Sequence, residues 1–364
     1  MPANFDLMGL ALKCACPTNE IVYDDKGMPS VMVRLPKKTY AELGLGSSTA
    51  VHPAWIVNGV EVDEIYISKF QNIVYGGRAY SLPGQDPKTS INFDQAIAAC
   101  EAKGEGWHLM TAMEWGAIAN MCKKAGTMPY GNNDYGKDTR ESGYYASPST
   151  SRDSNGRIQR VGTGTGPLTW SHDRTPGGIW DLNGNVWEWQ GGMRTVYGEL
   201  QILANNNGAD SSKSQSASSA QWMAINAASG ALVTPNGSGT TSGTIKMDNV
   251  SGHCQFDTTI TEAAASRGGH SCSFEAVTCS SNIGDAAKLL LQAIGMFKYD
   301  SASGAYDGDW YYWNNAEAER CFLRGGGWDR GANAGVFCSN GNDPRSHASG
   351  NIGFRAAYVK LPAA

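Results

Sequence analysis

The chain has 364 residues, 41% of them hydrophobic and 17% charged, which is enough apolar material for one large or two medium globular domains and too much for a disordered chain. No continuous apolar run approaches bilayer length, so a helical membrane span is excluded. A net charge of −5, from 34 acidic and 29 basic residues with no Lys/Arg block, leaves no electrostatic footprint for nucleic acid or an anionic membrane.

Forty-five glycines beside 11 tryptophans and 15 tyrosines predict many turns, few long helices and a core packed largely by aromatic rings. The opening MPANFDLMGLALKCACPTNE lacks the basic, apolar and cleavage regions of a signal peptide. Synthesis in the cytoplasm is therefore expected, with any exit by a route such as lysis. Nine cysteines (Cys14, Cys16, Cys100, Cys122, Cys254, Cys272, Cys279, Cys321 and Cys338) form no C-x-x-C pair, so free thiols are expected and a zinc site is not. Cys272 and Cys279 are the pair to check for a disulfide.

Residues 1–60 read as a small N-terminal attachment or oligomerisation module, with a strand at 30–35 (SVMVRL) and a Gly/Ser-rich linker at 44–49. From residue 61 EVDEIYISKFQNIVY alternates polar and apolar types, a strand signal that opens a second domain spanning 61–364. Asn92 with Gln95, then Thr111 with Glu114, make two capping boxes, each followed by a helix that ends at Gly104 and at Gly126. Residues 131–167 have no sustained period and are expected as irregular loop. The Ser/Ala/Gly-rich stretch 205–284 reads as an insertion, closed by a helix at 285–297 with Asp285 as its N-cap.

Three clusters carry the remaining information: GIWDLNGNVWEW at 178–189, LRGGGWDRGANAGVF at 323–337 and NIGFRAAYV at 351–359. Trp180, Trp187, Trp189 and Trp328 stand in glycine-flanked turns and read first as core fillers. With GWHLMTAMEW at 106–115, these clusters resemble, in order and over roughly 61–361, the formylglycine-generating-enzyme subtype of the C-type lectin fold. That resemblance implies an α+β, irregular, loop-rich domain. Its copper-dependent oxidases carry a cysteine pair just after the Gly-Gly-rich strand, where this chain reads Asp329 to Gly335 without a thiol; Cys321 precedes the strand and Cys338 lies beyond it. Its iron-dependent branch carries H-x-x-x-H-x-E, a spacing that His52, His108, His172, His253, His270 and His347 never form. A non-enzymatic role is therefore expected, with a metal-dependent oxidase as the alternative.

The segment 324–355 further resembles the variable region of diversity-generating-retroelement proteins, which opens with R-G-G-x-W, runs through G-A-N-A-G-V-F and closes at N-I-G-F-R. In that system AAC codons vary at their first two bases and cannot yield Lys, Glu, Gln, Met or Trp. The segment contains none of the first four, and its one Trp is the fixed Trp328. The resemblance implies a ligand-binding surface diversified at Gly327, Asp329, Arg330, Cys338, Ser339, Asn340, Asn342, Asp343, Ser346, His347 and Ser349, all facing outward. They interleave with Gly325, Gly326, Trp328, Gly331, Ala334, Val336, Phe337, Ile352 and Phe354 as scaffold. The plainer reading of each polar position is a solvated loop residue.

The implied partner is a host cell-surface protein or glycan, bound from the tail tip of a phage or prophage particle or from a bacterial surface. Other particle proteins would dock on the N-terminal module, with several copies displayed as a homo-oligomer; neither nucleic acid nor a membrane is engaged. A purely structural particle component is the other alternative. No catalytic residue and no required cofactor is expected. For the turn at Asn183, Gly184, Val186 and Glu188 two readings stand: a calcium site, which the resemblance implies, or a tight turn stabilised by Asn183 and Asn185. His172 and Asp173 read as loop hydrogen-bonding residues.

Overall fold

The computed structural model describes residues 7–362, with side chains from Gly9 onward. Two sheets organise the described residues. The smaller has five strands in the order Asn19–Tyr23, Pro29–Pro36, Glu64–Ser68, Ala356–Tyr358 and Trp107–Leu109. The larger has twelve. Its main path runs Gly269–Ser273, Trp310–Asn314, Gly335–Asp343, Arg320–Gly325, Trp187–Val196, Glu199–Ile202, Lys246–Val250, His253–Asp257, Thr278–Cys279. Ile352–Phe354 lies parallel to the start of Trp187–Val196, pairing Ile352 with Trp187 and Phe354 with Trp189. The chain then passes from the large sheet to the small one within a single residue, Arg355.

The two capping boxes form as their spacing requires. Asn92 and Gln95 bond reciprocally to open Phe93–Glu101, and Thr111 and Glu114 do the same for Ala112–Ala125. Each such cap stabilises a helix by about 1 kcal/mol. Ala112–Ala125 is buried on nearly every face, packed against Trp187–Val196, the helix Asp285–Ala293 and the short turns Ala41–Leu43 and Pro53–Trp55; Trp115 donates its indole N–H to the Val336 carbonyl at 2.7 Å. One core cluster runs from Val33 and Trp55 through Trp115 and Ile118 to Met247, Phe256, Tyr311 and Phe337, so the early strands, the helix and the 205–284 segment share one interior. No helix among the described residues is long and apolar enough to cross a membrane.

Four local expectations need correction. The boundary near residue 60 is crossed by the pairing of Pro29–Pro36 with Glu64–Ser68, register Val33 to Ile67, so the strands of the N-terminal segment belong to the same sheet as those that follow. The 44–49 stretch is not a free linker: Leu43 and Leu45 are buried on either side of Gly44, which sits at φ +79°. The single strand read at 61–75 is interrupted, because Gln71 and Asn72 turn inward at 0% exposure to bond distant backbone. The N-cap of Asp285–Ala293 is Gly284, with Asp285 in the first turn.

The 131–167 segment is irregular, as read, and is ordered by buried carboxylate and amide contacts. Asp138 accepts from the Gly131 N–H and Asn133 Nδ2, and Arg140 closes on it with Nε at 2.7 Å. The 205–284 segment supplies six strands, some extending the large sheet at one edge beyond Glu199–Ile202 and one, Gly269–Ser273, closing the other edge beside Trp310–Asn314. All nine cysteines are unpaired.

Candidate functional site

Strand Gly335–Asp343 is central in the large sheet. It pairs in parallel with Trp310–Asn314, Tyr312 opposite Asn340, and antiparallel with Arg320–Gly325, Leu323 also opposite Asn340. Register shifts between Cys321 and Leu323 and between Arg324 and Gly325 interrupt that pairing near either end. Beside the strand lies a cleft of about 390 Å³. Trp187, Tyr312, Leu323 and Ile352 contribute its apolar surface, and seven polar side chains line the rest: Asn351 and the six rim residues Arg330, Asn340, Asn342, Asp343, His347 and Ser349.

These polar groups form a connected rim. Asn340 Nδ2 donates to Asp343 Oδ2 at 2.8 Å and Asn340 Oδ1 accepts the Asn342 N–H at 2.9 Å. His347 Nε2 stands 3.6 Å from Asp343 Oδ1, with 41% of its side chain exposed. The Arg330 guanidinium carbon lies 5.8 Å from the Trp187 ring centroid, within cation–π range, and Trp187 meets Tyr312 edge to face at 6.1 Å. Burial pushes the Tyr312 phenol above its usual range, opposed in part by hydrogen bonds from Arg330 and Asn333. Arg330 Nε and Asn342 Oδ1 are buried without a hydrogen-bond partner, and Arg330 Nε stands 3.5 Å from Asp329 Oδ1.

The loop after the strand is staked to the body of the protein. Arg345 Nη1 bonds Asp94 Oδ1 at 2.7 Å, its Nε bonds Glu319 Oε2 at 2.6 Å, and its Nη2 reaches the Gln215 carbonyl at 3.1 Å. Glu319 is in turn bonded by Arg194 Nη1 at 2.7 Å. Further on, the Ser349 carbonyl accepts the Ser90 N–H, and the Gly350 carbonyl accepts from Arg160. Backbone position is thus fixed on both sides of Ser346 and His347.

Eight of the eleven positions read as diversified are surface-accessible: Asp329 and Ser346 are exposed outside the cleft lining, and the six rim residues are partly exposed. Gly327, Cys338 and Ser339 are buried, contrary to the outward placement expected of them. Cys338 and Ser339 lie in a strand with a neighbour on either side, and both its faces are covered. The Cys338 thiol joins the core around Trp187 and Leu323, and Ser339 Oγ contacts Met296 Sδ at 3.6 Å. At Gly327 a Cβ would stand 3.3 Å from Trp187 Cδ1 and 3.3 Å from Asp329 Oδ1, so a larger residue must displace one of them. Sequence reasoning missed Trp187 and Tyr312 as cleft residues. Trp187 reads as a core aromatic and is only 2% exposed although it lines the cleft; no sequence motif singles out Tyr312, and the strand order that sets Trp310–Asn314 beside Gly335–Asp343 brings it to the cleft.

The residues of the oxidase alternative are placed unfavourably for thiolate chemistry. Cys321 and Cys338 are both fully buried, and burial pushes each thiol above the usual thiol range. His172 Nδ1 accepts the Ile179 N–H at 2.8 Å and is 4.0 Å from Asp173 Oδ1; burial lowers its pKa, so it serves as a neutral acceptor in the loop. Among the described residues no group of three or more His, Cys, Asp and Glu is placed to hold a metal ion.

The four residues considered for calcium are close together but their oxygens are taken. Glu188 accepts from Arg355 Nε at 3.0 Å and Nη2 at 2.9 Å, and the pair is fully buried. Asn183 donates to the Pro129 carbonyl at 2.9 Å and accepts from Asn133 Nδ2 at 3.3 Å. The Gly184 and Val186 carbonyls both face Gln71 Nε2. Gly184 sits at φ +74°, where a Cβ would come within 2.1 Å of the Asn132 carbonyl oxygen, so the turn tolerates only glycine. Calcium takes six to eight oxygens at about 2.3–2.6 Å, and this donor set does not fit it.

Residues 54–232 match the family model described as the sulfatase-modifying factor enzyme 1-like domain. The described residues form a mixed α+β, loop-rich architecture. Among solved structures, the chain is similar to Treponema denticola variable protein 1 at 12% identity and a TM-score of 0.34, covering 94% of this chain and 99% of that one. It is similar to the Major Tropism Determinant U1 variant at 12% identity and a TM-score of 0.29, covering 93% and 71%. PvdO from Pseudomonas aeruginosa is similar at 12% identity and a TM-score of 0.29, covering 93% and 97%. No curated protein sequence matches the chain.

Proposed function

We propose that this chain, whose residues 54–232 match a sulfatase-modifying factor enzyme 1-like domain, is a receptor-binding protein that recognises its ligand at the cleft beside strand Gly335–Asp343. The observation that carries the reading is the convergence of six positions, Arg330, Asn340, Asn342, Asp343, His347 and Ser349, which the variable-region pattern marks as diversified, on one cleft. Five of them fall within residues 340–349, and the fold brings Arg330 to the same cleft. Trp187 and Tyr312, outside the variable segment, give the cleft a constant aromatic component, while the rim supplies hydrogen-bonding groups that change from variant to variant. The ligand is a protein or glycan of a host cell surface, met from a virion tip or from the surface of a bacterium. The attachment role expected of residues 1–60 falls to the helix Leu7–Ala15, since the strands after it are committed to the sheet.

Deep sequencing of codons 319–360 across a growing population of the source tests the reading, together with a search of the flanking DNA for an adenine-rich near-copy. Substitutions concentrated at the six rim codons and at those of Asp329 and Ser346 are the expected result. An invariant segment with no template nearby would remove the diversified-binder reading and leave the fold alone.

A further inference from the structure

Gln71 is fully buried where the chain leaves strand Glu64–Ser68. Its Nε2 faces four oxygens at once: the Asp181 carbonyl at 3.2 Å, the Gly184 carbonyl at 3.4 Å, the Val186 carbonyl at 3.1 Å and Glu188 Oε1 at 3.0 Å. Its own Oε1 accepts from Asn185 Nδ2 at 2.9 Å, which fixes the amide's orientation. Turned over, the amide would set an oxygen against four oxygens and an NH2 against an NH2. An amide nitrogen carries two hydrogens, so four surrounding acceptors make a shared, cation-like environment. On the far side of Glu188 the Arg355 guanidinium supplies the compensating charge, and its remaining donors bond the Ser68 carbonyl at 2.8 Å and the Trp180 carbonyl at 2.8 Å.

We infer that the Gln71 amide and the Arg355 guanidinium together fill the role of a divalent cation in this turn, so that the domain and its cleft form without calcium. Three features support this. The oxygen-to-nitrogen distances of 3.0–3.4 Å are hydrogen-bond distances, and each would have to contract by about half an ångström or more to ligate calcium. The charge of Glu188 is already matched by a bidentate guanidinium. The Asp181 side chain, whose Oδ2 accepts the Gly164 N–H at 2.8 Å, offers one unpartnered oxygen, Oδ1, and one oxygen does not make a six- to eight-ligand site. The knot matters to the cleft because Glu188 lies beside Trp187, and Arg355 follows the strand that pairs Ile352 with Trp187.

The test uses the purified full chain, thermal unfolding with calcium chloride or with a chelator, and elemental analysis for bound metal. The wild type is expected to melt at the same temperature in both conditions and to carry no stoichiometric calcium through purification. Gln71→Leu is expected to melt at least about 3 °C lower, equally with and without calcium, because it strips the donors and adds no ligand. Gln71→Glu places a second carboxylate against Glu188 and is expected to melt lower in chelator and recover with calcium. A wild type that loses stability in chelator and regains it with calcium overturns the inference, as does stoichiometric calcium in the wild type. Gln71→Leu melting like the wild type overturns the role of the amide. The wild-type measurements decide even if both variants fail to fold, and none of these results depends on what the cleft binds.

Discussion

Replacing Arg355 by Met is expected to be among the most damaging single changes in the molecule. Arg355 and Glu188 are both essentially unexposed, so the substitution leaves a carboxylate buried with Gln71 as its remaining donor. Breaking a buried ion pair from one side costs about 3–5 kcal/mol, and the orphaned carbonyls of Ser68 and Trp180 add about 1 kcal/mol each. Against a total stability of about 5–15 kcal/mol, Arg355→Met alone approaches unfolding. Glu188→Gln keeps an acceptor beside Arg355 and should cost less. The double variant Glu188→Gln/Arg355→Met removes both charges, and its loss should fall short of the sum of the single losses by about 2 kcal/mol or more. Urea unfolding of the four proteins measures this, read at constant slope against denaturant. Additive losses, or an Arg355→Met loss under about 1 kcal/mol, would refute the reasoning that one buried charge pair pins the crossing between the sheets.

Arg330→Ala should weaken receptor binding by about tenfold or more while changing stability by no more than about 0.5 kcal/mol, checked by titration calorimetry and by melting. Cys338→Asn should cost about 2–3 kcal/mol in chemical denaturation, because it sets an amide in the apolar core around Leu323, whereas Asn340→Ala on the rim should cost little. His52 is fully buried, and burial pushes its pKa from 6.5 down to about 3, so its neutral form is favoured in the folded state. The stability this contributes is complete above about pH 6.5 and is lost as pH falls from there toward about 3, at roughly 1.4 kcal/mol per pH unit; His52→Gln should show a shallower acid decline in melting temperature than the wild type.

The helices were legible because their signals are local. A capping box needs four residues, and Asn92 with Gln95 and Thr111 with Glu114 supply two of them. The irregular 131–167 loop was legible for the same reason, through the absence of any period. What could not be read was which strand lies beside which. That Trp310–Asn314 runs parallel to Gly335–Asp343 is set by packing far along the chain, and it decides that Tyr312 reaches the cleft and that Cys338 and Ser339 do not see solvent. The N-terminal boundary failed similarly: the Gly/Ser stretch at 44–49 is composed like a linker, but Leu43 and Leu45 hold it to the core. At the Asn183–Glu188 turn, the residues that complete the arrangement, Gln71 and Arg355, lie more than a hundred residues away on either side.

The anchoring of Arg345 bears on how binding would evolve. Because Asp94, Glu319 and the Gln215 carbonyl hold the backbone beside Ser346 and His347, a new side chain there inherits an ordered loop and loses little additional chain entropy when a ligand arrives. Natural variants should therefore share similar association rates and differ chiefly in how long the complex lasts. Releasing the stake with Arg345→Ala should narrow those differences in lifetime, since every variant would then carry the same cost of ordering the loop.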